Sequence, residues 1–266
     1  MHTDAHRYDR WPRLTAIALR WKLYRPFKIL RGVLRTYIFK KHYSSPIDHD
    51  WWDSFYVGQD ISDAQTIAPG TTPFPTMLHY NSIENIILAH LFNQRITIEG
   101  CSVLDLGSGA GHWIDFYRSL GAAHIDGVEI STNAATALNL RYAGISGITI
   151  HNCPAAEFDS GRQFDVINAI GVMFHIVDDG EFERTVTKLT DLLRPGGLLI
   201  VGGHFGWLDN LNVQFDASGR INKRLRSLRH WRKLLSACAT VRVYRNRAFR
   251  LIDAPLPENN ILMACK

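Results

Sequence analysis

The chain predicts an α/β fold: a mostly parallel sheet wound on both faces by helices, with an antiparallel pair at its C-terminal edge. Three observations predict it. From about residue 101, short apolar runs alternate with helical stretches, a rhythm that implies right-handed βαβ crossovers. The first apolar run ends directly in glycines. The last two β-type runs have no helix between them, so they fit an antiparallel hairpin. A hydrophobic content of 46% over 266 residues supports a core, and 21% charged is ordinary for a globular chain.

The elements follow in order. Ser102–Leu106 reads as a buried strand entering a loop. A helix runs from Gly111 to about Leu120, where Gly121 stops it. Ile125–Ile130 is the second strand, and Ser131 caps a helix that Gly144 ends. Ile148–His151 and Phe164–Ile170 are strands three and four. Asp179 is placed to cap a helix with Phe182, Val186, Leu189 and Leu193 on one face. Arg194-Pro195-Gly196-Gly197 is a tight turn into strand five, Leu198–Gly202. A last helix, about Arg226–Ala237, precedes the β runs Thr240–Tyr244 and Asn260–Ala264.

The charge is uneven. Eleven Lys and Arg against two Asp in the first 41 residues give that stretch a net +9, so with +5 overall the remainder carries −4. Residues 1–80 read as a basic, aromatic extension that caps an acceptor or docks on the domain, and residues 81–266 as the domain itself. Phe27, Leu30, Leu34, Tyr37 and Ile38 share one helical side, with Lys28, Arg31 and Arg35 on another. That basic amphipathic helix suits either docking on the domain or peripheral contact with an anionic surface. Lys223, Arg224, Arg226, Arg229, Arg232 and Lys233 form a second basic group. No apolar run reaches the roughly 18–20 residues that span a bilayer, and the start lacks a signal-peptide pattern. The expected location is cytoplasmic. Cys101, Cys153, Cys238 and Cys265 are far apart and form no CxxC pair, which argues for reduced thiols rather than a zinc or redox motif.

In an open parallel sheet, ligands bind beyond the carboxyl ends of the strands. After strand one come Gly107, Ser108, Gly109 and Gly111, whose backbone N–H groups can approach a ligand closely. The dinucleotide pattern G-x-G-x-x-G would need a third glycine where His112 stands. Asp105, at the strand end, can order the loop and face a cationic ligand. Glu129, after strand two and about 20 residues past the glycines, is placed to accept both hydroxyls of a ribose. Cys153, Pro154, Ala155 and Ala156 follow strand three and leave room for an adenine ring. His175 after strand four and His204 after strand five point toward the same mouth.

Taken together, Val103–Gly111, Gly127–Ser131, Phe164–Asp179 and Leu192–Leu199 resemble the successive motifs of the class I, Rossmann-like S-adenosylmethionine-dependent methyltransferases. The C-terminal hairpin is similar to that family's reversed seventh strand, and the resemblance covers about residues 80–266. It implies a seven-stranded sheet with S-adenosyl-L-methionine as cofactor and S-adenosyl-L-homocysteine as product. It further implies that Gly107, Ser108, Gly109 and Gly111 hold the methionine part and that Glu129, with Ile130 beside it, takes the ribose. Pro154 and Ala155 would border the adenine, the Ile170 backbone would contact the amino end, and Tyr80 would reach the cofactor carboxylate. Cys153 departs from the acidic residue many relatives carry there, so the resemblance implies no side-chain contact from it to the adenine amino group.

Methyl transfer is mainly a positioning task. A hydroxyl acceptor also needs its proton removed, and His175 and His204 are the candidate bases. With aromatic residues at 51–56, they favour O-methylation of a small molecule or a carbohydrate hydroxyl. An RNA (tRNA) methyltransferase using the two basic clusters, and a non-catalytic partner protein on the same fold, are the alternatives. His175 with Asp178 and Asp179 also suggests a divalent metal, but helix capping accounts for Asp179 more simply, and no metal is assigned.

Overall fold

The computed structural model describes residues 30, 34, 48–56, 61–67, 73–206, 208–215, 220–246 and 260–266. The basic amphipathic stretch around residues 27–38 therefore lies outside the described residues, apart from Leu30 and Leu34.

The described helices are α1 (His49–Tyr56), α2 (Asp63–Ile67), α3 (Pro73–Gln94), α4 (His112–Ser119), α5 (Thr132–Arg141), α6 (Asp179–Leu192) and α7 (Leu228–Leu234). The strands are β1 (Ser102–Leu106), β2 (His124–Glu129), β3 (Ile148–Asn152), β4 (Phe164–Ile170), β5 (Leu193–Gly203), β6 (Leu211–Phe215), β7 (Ile221–Leu225), β8 (Thr240–Tyr244) and β9 (Asn260–Cys265). Seven of these strands form one sheet in the order β3-β2-β1-β4-β5-β9-β8. β1 to β5 pair in parallel, while β9 runs antiparallel to both β5 and β8. The expected hairpin thus exists, but its second strand slots inside its first, and β8 is the edge.

Period-2 alternation explains how the sheet buries both faces. Leu104, Leu106, Leu199, Val201, Leu262 and Ala264 face one side, packed on Phe182, Val186 and Leu189 of α6 and Trp231 of α7. Val103, Leu198, Ile200, Ile261 and Met263 face the other, packed on Ile83 and Ile87 of α3 and Trp113, Ile114 and Tyr117 of α4. An irregular step between Phe164 and Val166 shifts the β4–β5 register, which lets Phe164 join Ile167 and Ala169 on the first side. α3 runs unbroken through residue 80.

Several local expectations need correction. Asp178, not Asp179, caps α6: its side chain accepts from the Glu181 N–H. Ser131 does cap α5, accepting from Ala134 N–H. The Arg194–Gly197 turn lies within the bounds of β5, with Gly196 donating to the Lys266 carbonyl. The last helix is shorter than expected and is capped by Ser227. The antiparallel β6–β7 ribbon lies between β5 and α7, where no strand was expected.

The second basic group is not a uniform patch. Arg224 and Arg226 both donate to the Asp179 carboxylate. Arg226 is buried, stacks over Phe182 with 4.0 Å from its guanidinium carbon to the ring centroid, and also donates to the Ile176 carbonyl. Only Arg229, Arg232 and Lys233 of that group are exposed.

Candidate active site

The glycine loop is pinned from below. Gly107 and Ser108 both donate their N–H to the Val128 carbonyl, at 2.8 and 3.1 Å. The Gly109 N–H then donates to Glu129 Oε2 at 2.8 Å, and the Ser131 N–H to Oε1 at 2.9 Å. Glu129 thus ties the loop after β1 to the start of α5. Burial raises its pKa, against the lowering effect of those N–H bonds. Gly109 and Gly111 have φ of +53° and +90°, a region that disfavours side chains. A Cβ on Gly111 would also come within 2.5 Å of the Tyr142 hydroxyl, which donates to the Gly111 carbonyl. Gly111→Ala should therefore cost about 1–3 kcal/mol, read as a Tm several degrees lower in thermal unfolding.

Asp105 is fully buried, and burial pushes its pKa up to about 6. Its Oδ1 accepts from Asn168 Nδ2 at 2.8 Å, while Oδ2 has no donor in hydrogen-bonding geometry. An unmatched buried carboxylate oxygen beside a backbone cradle suits a cationic group. Together with Glu129, it fits the ammonium and ribose ends of S-adenosylmethionine.

Tyr80 lies at this loop, buried and stacked on His112 with ring centroids 3.5 Å apart. His112, standing where a dinucleotide loop would have glycine, bridges Asp63 at 2.9 Å and Glu84 at 2.7 Å. Ile130 is half-buried, and Asn152 from β3 donates to its carbonyl and to that of Glu129. Pro154 and Ala155 are half-buried in a turn whose Pro154 carbonyl accepts from Glu157 and Phe158. Ile170 is buried at the end of β4.

The short helices α1 and α2 cover this mouth. Asp53 accepts from the Ser131 hydroxyl at 2.8 Å, and His49 is 3.0 Å from the Thr132 hydroxyl. Thr66 lies against Gly109, and burial, followed by the Glu129 charge, raises the pKa of Tyr56. Of the 51–56 aromatics, Trp51 stacks on Phe55, whereas Trp52 meets His175 edge-on with ring centroids 5.0 Å apart.

His175 and His204 flank Phe174, with ring centroids 4.6 and 5.5 Å from it. His175 Nδ1 is 2.7 Å from the Asn222 carbonyl, an acceptor only. Nδ1 therefore carries the proton, and Nε2 keeps its lone pair. Burial, helped by the Lys223 charge, pushes the His175 pKa well below the usual histidine value. Lys223 lies 4.7 Å from the Phe174 ring centroid. Asp178 and Asp179 do not join His175 as ligands, being committed to the α6 cap and to the two arginines. Among the described residues, no group of three or more His, Cys, Asp or Glu could hold a metal.

Sequence reasoning missed Asn168, Asn152 and Asp63, and it read Lys223 only as part of a basic group, not as a neighbour of Phe174 and His175. Asn168 had a signal: a polar, strand-averse residue inside the apolar run Val166-Ile167-Asn168-Ala169-Ile170.

A family model described as a methyltransferase domain matches residues 103–197. The chain is 31% identical over 104 residues to a ubiquinone biosynthesis O-methyltransferase of Rhodopseudomonas palustris (strain TIE-1), covering 39% of this chain and 40% of that protein. It is 36% identical over 114 residues to the protein of that name from Caulobacter sp. (strain K31), covering 41% and 43%. The chain thus spans about two-fifths of the length of these curated relatives. Among solved structures, it is similar in fold to a Burkholderia thailandensis 1,6-didemethyltoxoflavin-N1-methyltransferase bound to S-adenosylhomocysteine (19% identity, TM-score 0.57, 82% of this chain and 85% of that one). It is likewise similar to the magnesium protoporphyrin IX methyltransferase of Synechocystis PCC 6803 with bound S-adenosylmethionine (16% identity, TM-score 0.56, 90% and 95%).

Proposed function

We propose that this chain is a class I S-adenosylmethionine-dependent methyltransferase that moves the cofactor's methyl group onto a hydroxyl of a small-molecule acceptor. One observation carries the reading. The Glu129-closed glycine loop and a histidine with its Nε2 lone pair set free share one mouth beyond the sheet. In that assignment, Glu129 accepts the ribose hydroxyls, Asp105 Oδ2 accepts from the ammonium, and the Gly107–Gly111 backbone follows the methionine part. Pro154, Ala155, Ile130 and Ile170 border the rest of the cofactor. The cofactor supplies an activated methyl group, and the protein supplies alignment and proton removal.

The base supports one kind of acceptor. A histidine held well below its usual pKa is a weak base, which suits an acidic hydroxyl such as a phenol (about 10 for tyrosine) far better than a sugar alcohol. The O-methyltransferase names of the two curated relatives support the oxygen reading. A glycan acceptor finds less support in this base, and an RNA acceptor less still, because Arg224 and Arg226 are spent on Asp179.

Calorimetry with S-adenosylmethionine and S-adenosylhomocysteine tests the cofactor half. Glu129→Gln should weaken S-adenosylhomocysteine about 10–100-fold. The amide keeps one acceptor oxygen but turns an NH2 toward one of the two backbone N–H groups and loses charge-assisted bonds worth about 1.5–3 kcal/mol each. Methyl incorporation into a panel of phenols, sugars and bulk tRNA tests the acceptor half. A wild-type protein that binds neither cofactor form would sink the proposal in favour of a non-catalytic partner.

A further inference from the structure

A buried chain of polar side chains runs from α4 through β4 to β1. The Tyr117 hydroxyl donates to Asn168 Oδ1 at 3.1 Å, and Asn168 Nδ2 donates to Asp105 Oδ1 at 2.8 Å. All three side chains are fully buried. We propose that Asn168, oriented by Tyr117, is a positioning residue that fixes Asp105 with Oδ2 turned to the ammonium of the bound cofactor. The proposal rests on the cofactor reading above.

An asparagine amide can present either its oxygen or its NH2 to a neighbour. In the observed arrangement the Tyr117 hydroxyl donates to the amide oxygen and the NH2 faces Asp105; the reverse, with the NH2 donating to the hydroxyl, would require a protonated Asp105. An NH2 can only donate, so Asp105 Oδ1 must accept and the carboxylate form is favoured. With the amide reversed, two oxygens would face each other in a dry interior, a costly arrangement at low dielectric. Oδ1 is then spent, and Oδ2 is the acceptor left over. Burial works in the opposite sense and drives Asp105 toward the neutral acid, which could not pair with an ammonium. Asn168 and then Ser108 counter it, and the Tyr117 hydroxyl supports Asn168 in its donating orientation.

The test uses the intact chain and two readouts. In cofactor-free protein, the Asp105 side-chain carboxyl is followed by carbon NMR against pH and assigned by its loss in Asp105→Asn. In parallel, S-adenosylhomocysteine affinity is measured by calorimetry over the same range. Tyr117→Phe frees the amide while keeping the ring. It should move the Asp105 titration upward by about one pH unit, the size of one net hydrogen bond, and weaken S-adenosylhomocysteine several-fold near neutral pH with a larger loss in acid. Asn168→Ala should shift the titration further in the same direction. Variants that lose thermal stability but leave both midpoint and affinity in place would make the relay simple packing and overturn the proposal. A shifted titration with affinity unchanged at every pH overturns it too, since Oδ2 then faces something other than the cofactor. Absence of binding by the wild type overturns the cofactor reading and, with it, the role given to Oδ2. The titration, which needs no cofactor, tells that failure apart from a failure of the relay.

Discussion

The His175→Ala variant should turn over about 10²–10⁴-fold more slowly at saturating substrate, the usual contribution of a positioned general base. Its S-adenosylhomocysteine affinity should stay within a few-fold of wild type, because His175 touches none of the groups that close the glycine loop. The reason for choosing His175 is its tautomer. The Asn222 carbonyl from β7 takes the Nδ1 proton, so Nε2 is the basic nitrogen, and Trp52 and Phe174 hold the ring in place. His204, on the other side of Phe174, should show the smaller loss on the same change. The pH profile adds a second check. A histidine already neutral well below its ordinary pKa of about 6.5 gives no acid limb in kcat near that value. A wild-type kcat falling tenfold per pH unit below 6.5, absent in His175→Ala, would contradict this environment. Full activity in both His→Ala variants would remove proton abstraction by either residue from the mechanism.

The second large effect concerns folding. Asp179→Asn should destabilise the chain by about 3 kcal/mol, the low end of the range for breaking a buried pair. The low end applies because the Asp179 side chain is itself 36% exposed, whereas that of Arg226 is 1% exposed. Removing the carboxylate strands a dry guanidinium over Phe182 and unlatches the β6–β7 ribbon from α6. Arg226→Met should cost less, since Asp179 keeps Arg224 and reaches solvent. The sign with pH follows from linkage. The two arginines hold the Asp179 pKa below its ordinary value. Its contribution is therefore in full above the unfolded value of about 3.9 and is lost as pH falls through the lower folded one. Urea unfolding at pH 7 and in acid should show Asp179→Asn weaker than wild type at pH 7, with the gap closing in acid. Equal stability of the two at pH 7 would refute the latch.

The ribbon itself shows where reading the sequence stops. β1, β4 and β5 were legible because burial on both faces leaves largely apolar runs next to glycine, and the edge strand β3 because Ile148 and Ile150 alternate with polar residues, signals carried by a few adjacent residues. β7, by contrast, is Ile221-Asn222-Lys223-Arg224-Leu225, whose charges read as a solvated basic run. Only packing against α6 turns Arg224 and Arg226 into internal ion pairs. The same holds for Asp178 and Asp179: both satisfy the sequence rule for a cap, and the choice depends on which carboxylate the arginines claim.

Along the chain itself, Val103–Gly111, Glu129 and the order of strands determined the sheet and the glycine loop at its mouth, on which the proposed chemistry rests. These are local patterns, repeated at fixed spacing, and no distant residue is needed to recognise them. Tertiary structure alone decided the rest. It set Asn168 between Tyr117 and Asp105, gave His175 its tautomer through the Asn222 carbonyl 47 residues away, and laid Trp52, Tyr56 and Thr66 over the mouth. Hydrogen bonds and charges between residues far apart in sequence leave no periodic trace, because their energy depends on distance and burial rather than on neighbours in the chain.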